Sequence, residues 1–348
     1  MSRGGVLFIF LSGQEILVLG TLIGTRGTGH TFPGAVTPFG AVQLSPDCGL
    51  NGWNYSAGYQ HGERIARVSH THLSGAGVGD GQDIAYIFRP FLPVEEVSEP
   101  GYYRAEGEGR NGSVILELTA SEFCGMTRFR GFGAVTMDLL SAFNHDTYWD
   151  SERSLSPVEG VAWGFRSSRG WGTHTVYFAA AEQRSLHAGG PGENLVCISQ
   201  NSRESALGYL QAHRAARLSF DATRAAADAA WAAALSPLSL GPSASAAERA
   251  IYQAALYHTL IHPSLTDLPP LYTDMPPFQR RYTVFSTWDT HRAWSPLMTL
   301  LHPQRIPDWT ASLLAHGPTL PVWELWGSDT VCSAWVKEWL NSLCGGCR

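Results

Sequence analysis

Asp221-Ala-Thr-Arg-Ala-Ala-Ala-Asp-Ala-Ala-Trp-Ala-Ala-Ala-Leu235 divides this chain into two kinds of sequence. Alanine loses no side-chain entropy on entering a helix, so this run is helical, and the whole span 205–235, dominated by Ala, Arg and Leu, contains no Pro to interrupt it. Upstream the pattern changes. Between Thr21 and Phe178 short apolar or alternating segments (Ala41–Leu44, Ile84–Phe88, Val114–Thr119, Val135–Leu139, Val161–Phe165, Thr175–Phe178) are separated by Gly, Pro, Asn and Asp, the spacing of strands joined by tight turns. An antiparallel β-sandwich is the packing such strands adopt. Downstream, Ser236–Ser245 reads as a linker, and Ser245 with Glu248 forms the S-x-x-E of a capping box. The helix it opens carries Ile251, Ala254, Ala255 and His258 at helical spacing. A second helix is expected from Trp288 to about Leu301, kinked or divided at Pro296 and ended by Pro303.

Composition bounds the function. In 348 residues, 44% are hydrophobic and only 16% charged, so the chain is globular and large enough for more than one domain. The net charge of −6 without a Lys/Arg run argues against a nucleic-acid partner or an anionic membrane surface. No stretch approaches the roughly 18 apolar residues of a membrane span. The N-terminus offers Arg3 and the apolar stretch Val6–Leu11, a weak signal segment at most. Of the 6 Cys, only Cys344 and Cys347 form a CxxC, without the second pair a zinc site requires. The 12 Trp are enough to serve both a core and a sugar platform.

Four clusters hold the candidate chemistry, the second made of two segments, Gly52–Tyr59 and Ser69–Asp80. Gly24-Thr-Arg-Gly-Thr-Gly-His-Thr-Phe-Pro-Gly34, followed by Pro38–Asp47, lacks the spacing of a phosphate loop and reads equally as a turn-rich surface loop needing positive φ. Gly52–Tyr59 carries Trp53, Tyr55 and Tyr59, either a sugar platform or a cross-strand aromatic cluster. Ser69–Asp80 places His70 and His72 two apart, on one side of a strand, where they are either a metal pair with Asp80 or hydrogen-bonded structural residues. In Phe285–Leu297, Asp289 and Arg292 lie three apart after Trp288, as a clamp for vicinal hydroxyls or as a plain ion pair. Leu320–Asp329 sets Glu324 beside Trp323 and Trp326, where burial would raise its carboxyl pKa.

In this order the segments GHTFPGA with PFGAVQLSPD, GWNYSAGY with SHTHLSGAGVGD, STWDTHRAWSPL and LPVWEL resemble glycoside hydrolase family ninety-two, calcium-dependent exo-acting α-mannosidases; Thr119–Phe129 is similar to a further strand region of that family. The resemblance runs from Gly24 to Cys332 and implies an α+β, multidomain chain: an extension over 1–20, a β-sandwich over 21–204, a helical linker over 205–245, the first helices of an incomplete alpha/alpha toroid over 246–332, and a divergent tail over 333–348. It implies removal of terminal α-mannose from mannosides or N-glycans with inversion, a calcium ion, and a secreted or extracytoplasmic setting. The family's acid Glu and base Asp belong to motifs that have no counterpart in these residues, so no catalytic residue is assigned and the chain alone is expected to be inactive. Gly24, His30, Trp53, Trp288, Asp289, Arg292, Trp323 and Glu324 carry over as substrate contacts. The tail departs from the family, with Trp335, Trp339 and Leu343 as a makeshift cover for a truncated toroid. A non-catalytic carbohydrate-binding module is the alternative.

Overall fold

The computed structural model describes residues 20–315 except 78, 142–146, 157–159, 170–172, 183–191 and 270–278, together with the short antiparallel pair β1 (Ile9–Leu11) and β2 (Gln14–Ile16). Alternation and turn residues give the strands β3 (Ala35–Val36), β4 (Gln43–Asp47), β5 (Ile65–Ser69), β6 (Ala85–Phe91), β7 (Pro93–Glu99), β8 (Tyr102–Gly109), β9 (Gly112–Ala120), β10 (Cys124–Arg130), β11 (Thr136–Asp138), β12 (Thr147–Ser156), β13 (Val161–Arg169), β14 (Thr173–Glu182) and β15 (Gly192–Ser199). They form an 8-stranded sheet, β12-β13-β14-β15-β10-β9-β8-β7, and a 5-stranded sheet, β11-β6-β5-β4-β3, and the chain passes from the second to the first between β6 and β7. All six segments expected to be strands are strands, with shifted ends. The first reaches past Pro46 to Asp47, because the neighbour β3 pairs only with Gln43 and Leu44 and leaves that stretch of the β4 edge without a demand for a Pro N–H.

The two sheets share one core, to which Leu44, Val68, Tyr86, Phe88 and Phe91 come from the smaller and Tyr103, Leu116, Leu118, Phe129, Val176 and Phe178 from the larger. The larger sheet is covered on its other face as well: Cys124, Met126 and Cys197 pack against Ala206, Leu210 and Phe220 of the helices. That double cover explains why the central strands β9, β10 and β15 carry buried residues in runs, where a one-sided sheet would alternate. Cys124 and Cys197 stand opposite each other in the β10–β15 register and form a buried disulfide.

The helical part begins where the Ala-rich reading placed it. Ser202 caps α1 (Arg203–Ala215) and Ser219 caps α2 (Phe220–Leu235), each side chain accepting a backbone N–H three residues on. The buried face of α2 is Phe220, Thr223, Ala227 and Trp231, and its alanine lets the helix lie close to the sheet: a Cβ on Gly101 would stand 2.9 Å from that of Ala227. The Trp231 indole N–H donates to Val36 O at 2.7 Å. The capping box of α3 (Ala246–Thr259) is present in full. After it come the hairpin β16 (Ser264–Thr266) and β17 (Arg281–Thr283), then α4 (Thr287–Thr290), α5 (Trp294–Leu301) and α6 (Ile306–Leu314). The expected helix over 288–301 is divided, but at 291–293; Pro296 falls in the first turn of α5, where its missing N–H costs nothing. A second core joins the two parts, with Phe32, Val36 and Phe39 from the loop around β3 packed against Trp231, Tyr257, Tyr282 and Trp309.

Candidate substrate-binding site

The glycine-rich loop crosses itself. Thr31 N donates to Gly24 O at 3.2 Å, and a Cβ on Gly29 would stand 2.0 Å from that same oxygen, so only glycine fits there. Gly24, at φ +88°, takes part through its backbone, with Thr31 packed against its Cα. The crossing forces His30 into the left-handed region at φ +55° and turns its ring toward Trp53, 4.7 Å away and edge-on. Gln60 fixes the two loops together: it accepts from Gly27 N and donates to Gly27 O and Asn54 O.

Trp53 opens a 3₁₀ turn, Trp53–Tyr55, and its ring lies over Gly77, where a Cβ would come within 2.6 Å. It is 60% exposed. His30 is buried. Burial lowers its pKa below the ordinary 6.5, partly offset by a hydrogen bond to the Trp53 carbonyl, and its Nε2, itself buried, has no hydrogen-bond partner. The result is a buried imidazole, biased to its neutral form, that braces an open indole face edge-on. Gly75 N donates to His30 O at 2.7 Å, so the segment after His72 forms the third wall of the same rim.

Behind the rim stand two fully buried carboxylates, each saturated by the fold. Asp47 accepts from Ser69 Oγ at 2.6 Å and faces His72 Nε2 at 2.7 Å and Arg67 at 3.4 Å. Asp83 is bound by Arg166, Ser168, Thr71 and His174 at 2.7–2.9 Å. Burial by itself would raise the Asp83 carboxyl, yet the His174 and Arg166 charges and the Thr71 hydroxyl hold it well below 3.8. His262 joins the rim to the helical part, accepting from Ser74 N and sharing a hydrogen bond with Ser264 Oγ. Burial, then the neighbouring His72, lowers it to about 4.

The reading of His70, His72 and Asp80 as a metal pair with a third ligand is not realised. His72 has both ring nitrogens engaged, by Gln43 O and by Asp47; His70 turns Nδ1 to Ile84 O, and burial lowers its pKa to about 4; Asp80 accepts from Gly81 N. Among the described residues no three His, Cys, Asp or Glu side chains converge to hold an ion.

Leu73 and Val284 pack together with Ala76, which brings the lead into α4 against the third wall of the rim. Asp289 is exposed and accepts from Ser286 Oγ. The helix ends at Thr290, before Arg292, which is exposed and forms no ion pair with Asp289 among those within 4.0 Å, so the shared helical face expected from their spacing is absent. The Trp288 side chain, and Trp323 and Glu324 entirely, lie outside the described residues. His30 and Trp53 are therefore the pair brought into contact. Asp83, Arg166 and His174 were not singled out in the sequence, where nothing marks three residues so far apart as partners. A separate cleft of about 510 Å³ between α2 and the Thr37–Phe39 loop is lined by Ala227, Ala230, Ala234, Leu301 and Arg305 and includes none of the expected sugar contacts.

Residues 19–226 match the glycosyl hydrolase family 92 N-terminal domain, and residues 206–334 match the catalytic domain of the same family. Among solved structures, a family GH92 alpha-mannosidase from Bacteroides thetaiotaomicron in complex with mannoimidazole superposes with a TM-score of 0.79 at 23% identity, covering 91% of this chain and 50% of that one. The GH92 family glycosyl hydrolase ccman5 gives a TM-score of 0.71 at 20% identity, covering 83% and 47%. A family GH92 inverting mannosidase from Bacteroides thetaiotaomicron gives 0.66 at 18%, covering 84% and 47%. A search of curated proteins found no match. The chain spans about half the length of the solved relatives it matches. These likenesses show a common α+β fold of mostly antiparallel sheets followed by helices. With the N-terminal domain alone matching more than half of its length, this chain belongs to glycosyl hydrolase family 92.

Proposed function

We propose that this chain is the sugar-contacting half of an exo-acting, inverting α-mannosidase for terminal α-mannose, of α-1,2 type, in mannosides or N-glycans. In this reading its sheets are the family's β-sandwich and its last helices open the alpha/alpha toroid. The observation that carries it is the His30–Trp53 rim: an exposed indole to stack on the apolar face of a sugar, held edge-on by the buried His30 ring. Gly24 and Gly29 shape the loop that presents them. Asp289 and Arg292 add an acceptor and a set of donors on the neighbouring segment, with Trp288, Trp323 and Glu324 as further contacts.

Inversion needs two carboxyl groups about 6.5–9.5 Å apart, one protonated and one activating water. The candidate contacts include a single described carboxylate, Asp289, while Asp47 and Asp83 are consumed by buried pairs. The acid, the base and the calcium ligands are thus assigned to no described residue, and the 348-residue chain is expected to bind mannosides without cleaving them. Titrating it with α-1,2-mannobiose, while following tryptophan fluorescence and free mannose with and without calcium, tests this. Binding that Trp53→Ala weakens several-fold supports the rim. Mannose release by this chain would refute the assignment of acid and base elsewhere, and binding unaffected by Trp53→Ala would remove the rim from the site.

A further inference from the structure

Two N-x-S sequons occur in the chain, Asn54-Tyr-Ser56 and Asn111-Gly-Ser113, and the fold treats them differently. Asn111 stands at the tip of the β8–β9 hairpin, in the two-residue turn closed by the Gly109–Gly112 pair, and Asn111, Gly112 and Ser113 are all exposed. Gly112, at φ +123°, provides a backbone state few other residues accept, and a Cβ there would meet nothing within 4 Å, so the tip is open on that side. Asn54 is exposed too, but its sequon is built into the rim. The Ser56 hydroxyl is buried and donates to Trp53 O at 2.8 Å, and Asn54 O accepts from Gln60. An oligosaccharide at Asn54 would stand next to the indole face.

The second observation is the Cys124–Cys197 disulfide inside the larger sheet. Buried disulfides of this kind form in oxidising compartments, and these are also where asparagine in a sequon is modified. We propose that the chain matures in an oxidising secretory compartment and carries an N-linked oligosaccharide on Asn111, with Asn54 left bare. In the reaction Asn111 Nδ2 bonds to C1 of the reducing-end sugar of a lipid-pyrophosphate-linked oligosaccharide; one Nδ2 proton leaves, and the lipid pyrophosphate departs with the bonding pair. No oxidant or reductant is required. The selection of Asn111 over Asn54 leans on the rim reading only for where a glycan does harm; occupancy is measured without any activity.

The test uses the full chain purified from the organism that carries its gene. An endoglycosidase that leaves one N-acetylhexosamine on asparagine marks the occupied site, and peptide masses read without reduction show the cysteine pairing. Direct detection of the sugar remnant matters because Asn-Gly is prone to deamidation, which imitates enzymatic release. The expected result is a remnant on most copies of the Asn111 peptide, none on the Asn54 peptide, and Cys124 linked to Cys197. Asn111→Gln and Ser113→Ala should each abolish the one-glycan step in gel mobility, and the second retains the asparagine. A bare Asn111, or a remnant on Asn54, overturns the proposal.

Discussion

Two groups of polar side chains behave as opposites. Behind the rim, Asp47 and Asp83 are fully buried and every contact they make is to a partner the fold provides, from Ser69, His72 and Arg67 in one case and Thr71, Arg166, Ser168 and His174 in the other. At the rim, His30 keeps a nitrogen without a protein partner and Trp53 turns an open face to solvent. A buried charge without partners would be prohibitively costly, so these carboxylates are paired by necessity. The outer group differs in exposure, since the Trp53 face is open to solvent and an open aromatic face is what a sugar can cover. The histidine-rich motif that draws the eye in the sequence therefore supplies the framework, while an indole braced by a lone histidine in a glycine loop supplies the contact.

The sharpest way to break this contrast is to remove a charge from the buried side. Asp83→Asn removes the buried carboxylate that pairs with Arg166 and His174 and should cost about 3–5 kcal/mol of stability in urea unfolding. A loss below about 1 kcal/mol would mean that the inner network is not the framework argued above. Acid should expose the same group. Asp83 is held below its ordinary 3.8, so its contribution is whole above that value and disappears as pH falls further.

A neutral histidine in the interior acts at higher pH. Burial brings His70 from 6.5 to about 4, so between those values the unfolded chain binds the proton and the folded chain does not. Stability should fall as pH drops from about 6.5 to 4, by about 3 kcal/mol for this ring and with a further share from His262, which is also lowered to about 4. His70→Gln should flatten that limb of a stability-versus-pH curve whatever it does to stability at neutral pH. An unchanged slope would show that His70 takes up its proton without unfolding.

These networks also mark where sequence reading stopped. Helix entry was legible because it is local: Ser245 and Glu248 are three residues apart, and the capping box forms between them. Six strands were legible from turn residues and apolar segments, whereas β5, β7, β8, β10, β12 and β15, among others, were not singled out in that way; β7 carries three glutamates and little buried surface, and β10 owes part of its burial to helices packing on the far face. The Cys124–Cys197 bond and the Asp83–Arg166–His174 network depend on register between strands distant in sequence, which spacing does not encode. Of the expected sugar contacts, His30 and Trp53 meet because Gln60 and two close-packed glycines bring their loops together, a geometry the motif hints at through its glycines. The Asp289–Arg292 pairing failed because a four-residue helix ends too soon.

On the rim side, effects should pass to binding and leave stability nearly intact. Trp53→Ala removes an exposed ring and should change unfolding free energy by less than about 0.5 kcal/mol, while the loss of an aromatic contact of about 1 kcal/mol weakens mannobiose binding several-fold. Equal losses in both measurements would place Trp53 with the framework.

His30 allows the finest separation, because its backbone and its ring are under different constraints. At φ +55° a β-branched residue is strained, whereas asparagine tolerates the left-handed region. His30→Asn should therefore keep the loop, hold stability within about 0.5 kcal/mol, and lower mannobiose affinity a few-fold through loss of the ring edge that braces Trp53. His30→Val should add about 1–2 kcal/mol of backbone strain on top of the same side-chain loss. If the two variants unfold alike, the left-handed turn is not what fixes the ring. If His30→Asn binds like the parent, the His30 ring has no part in recognising the sugar, and the indole alone holds it.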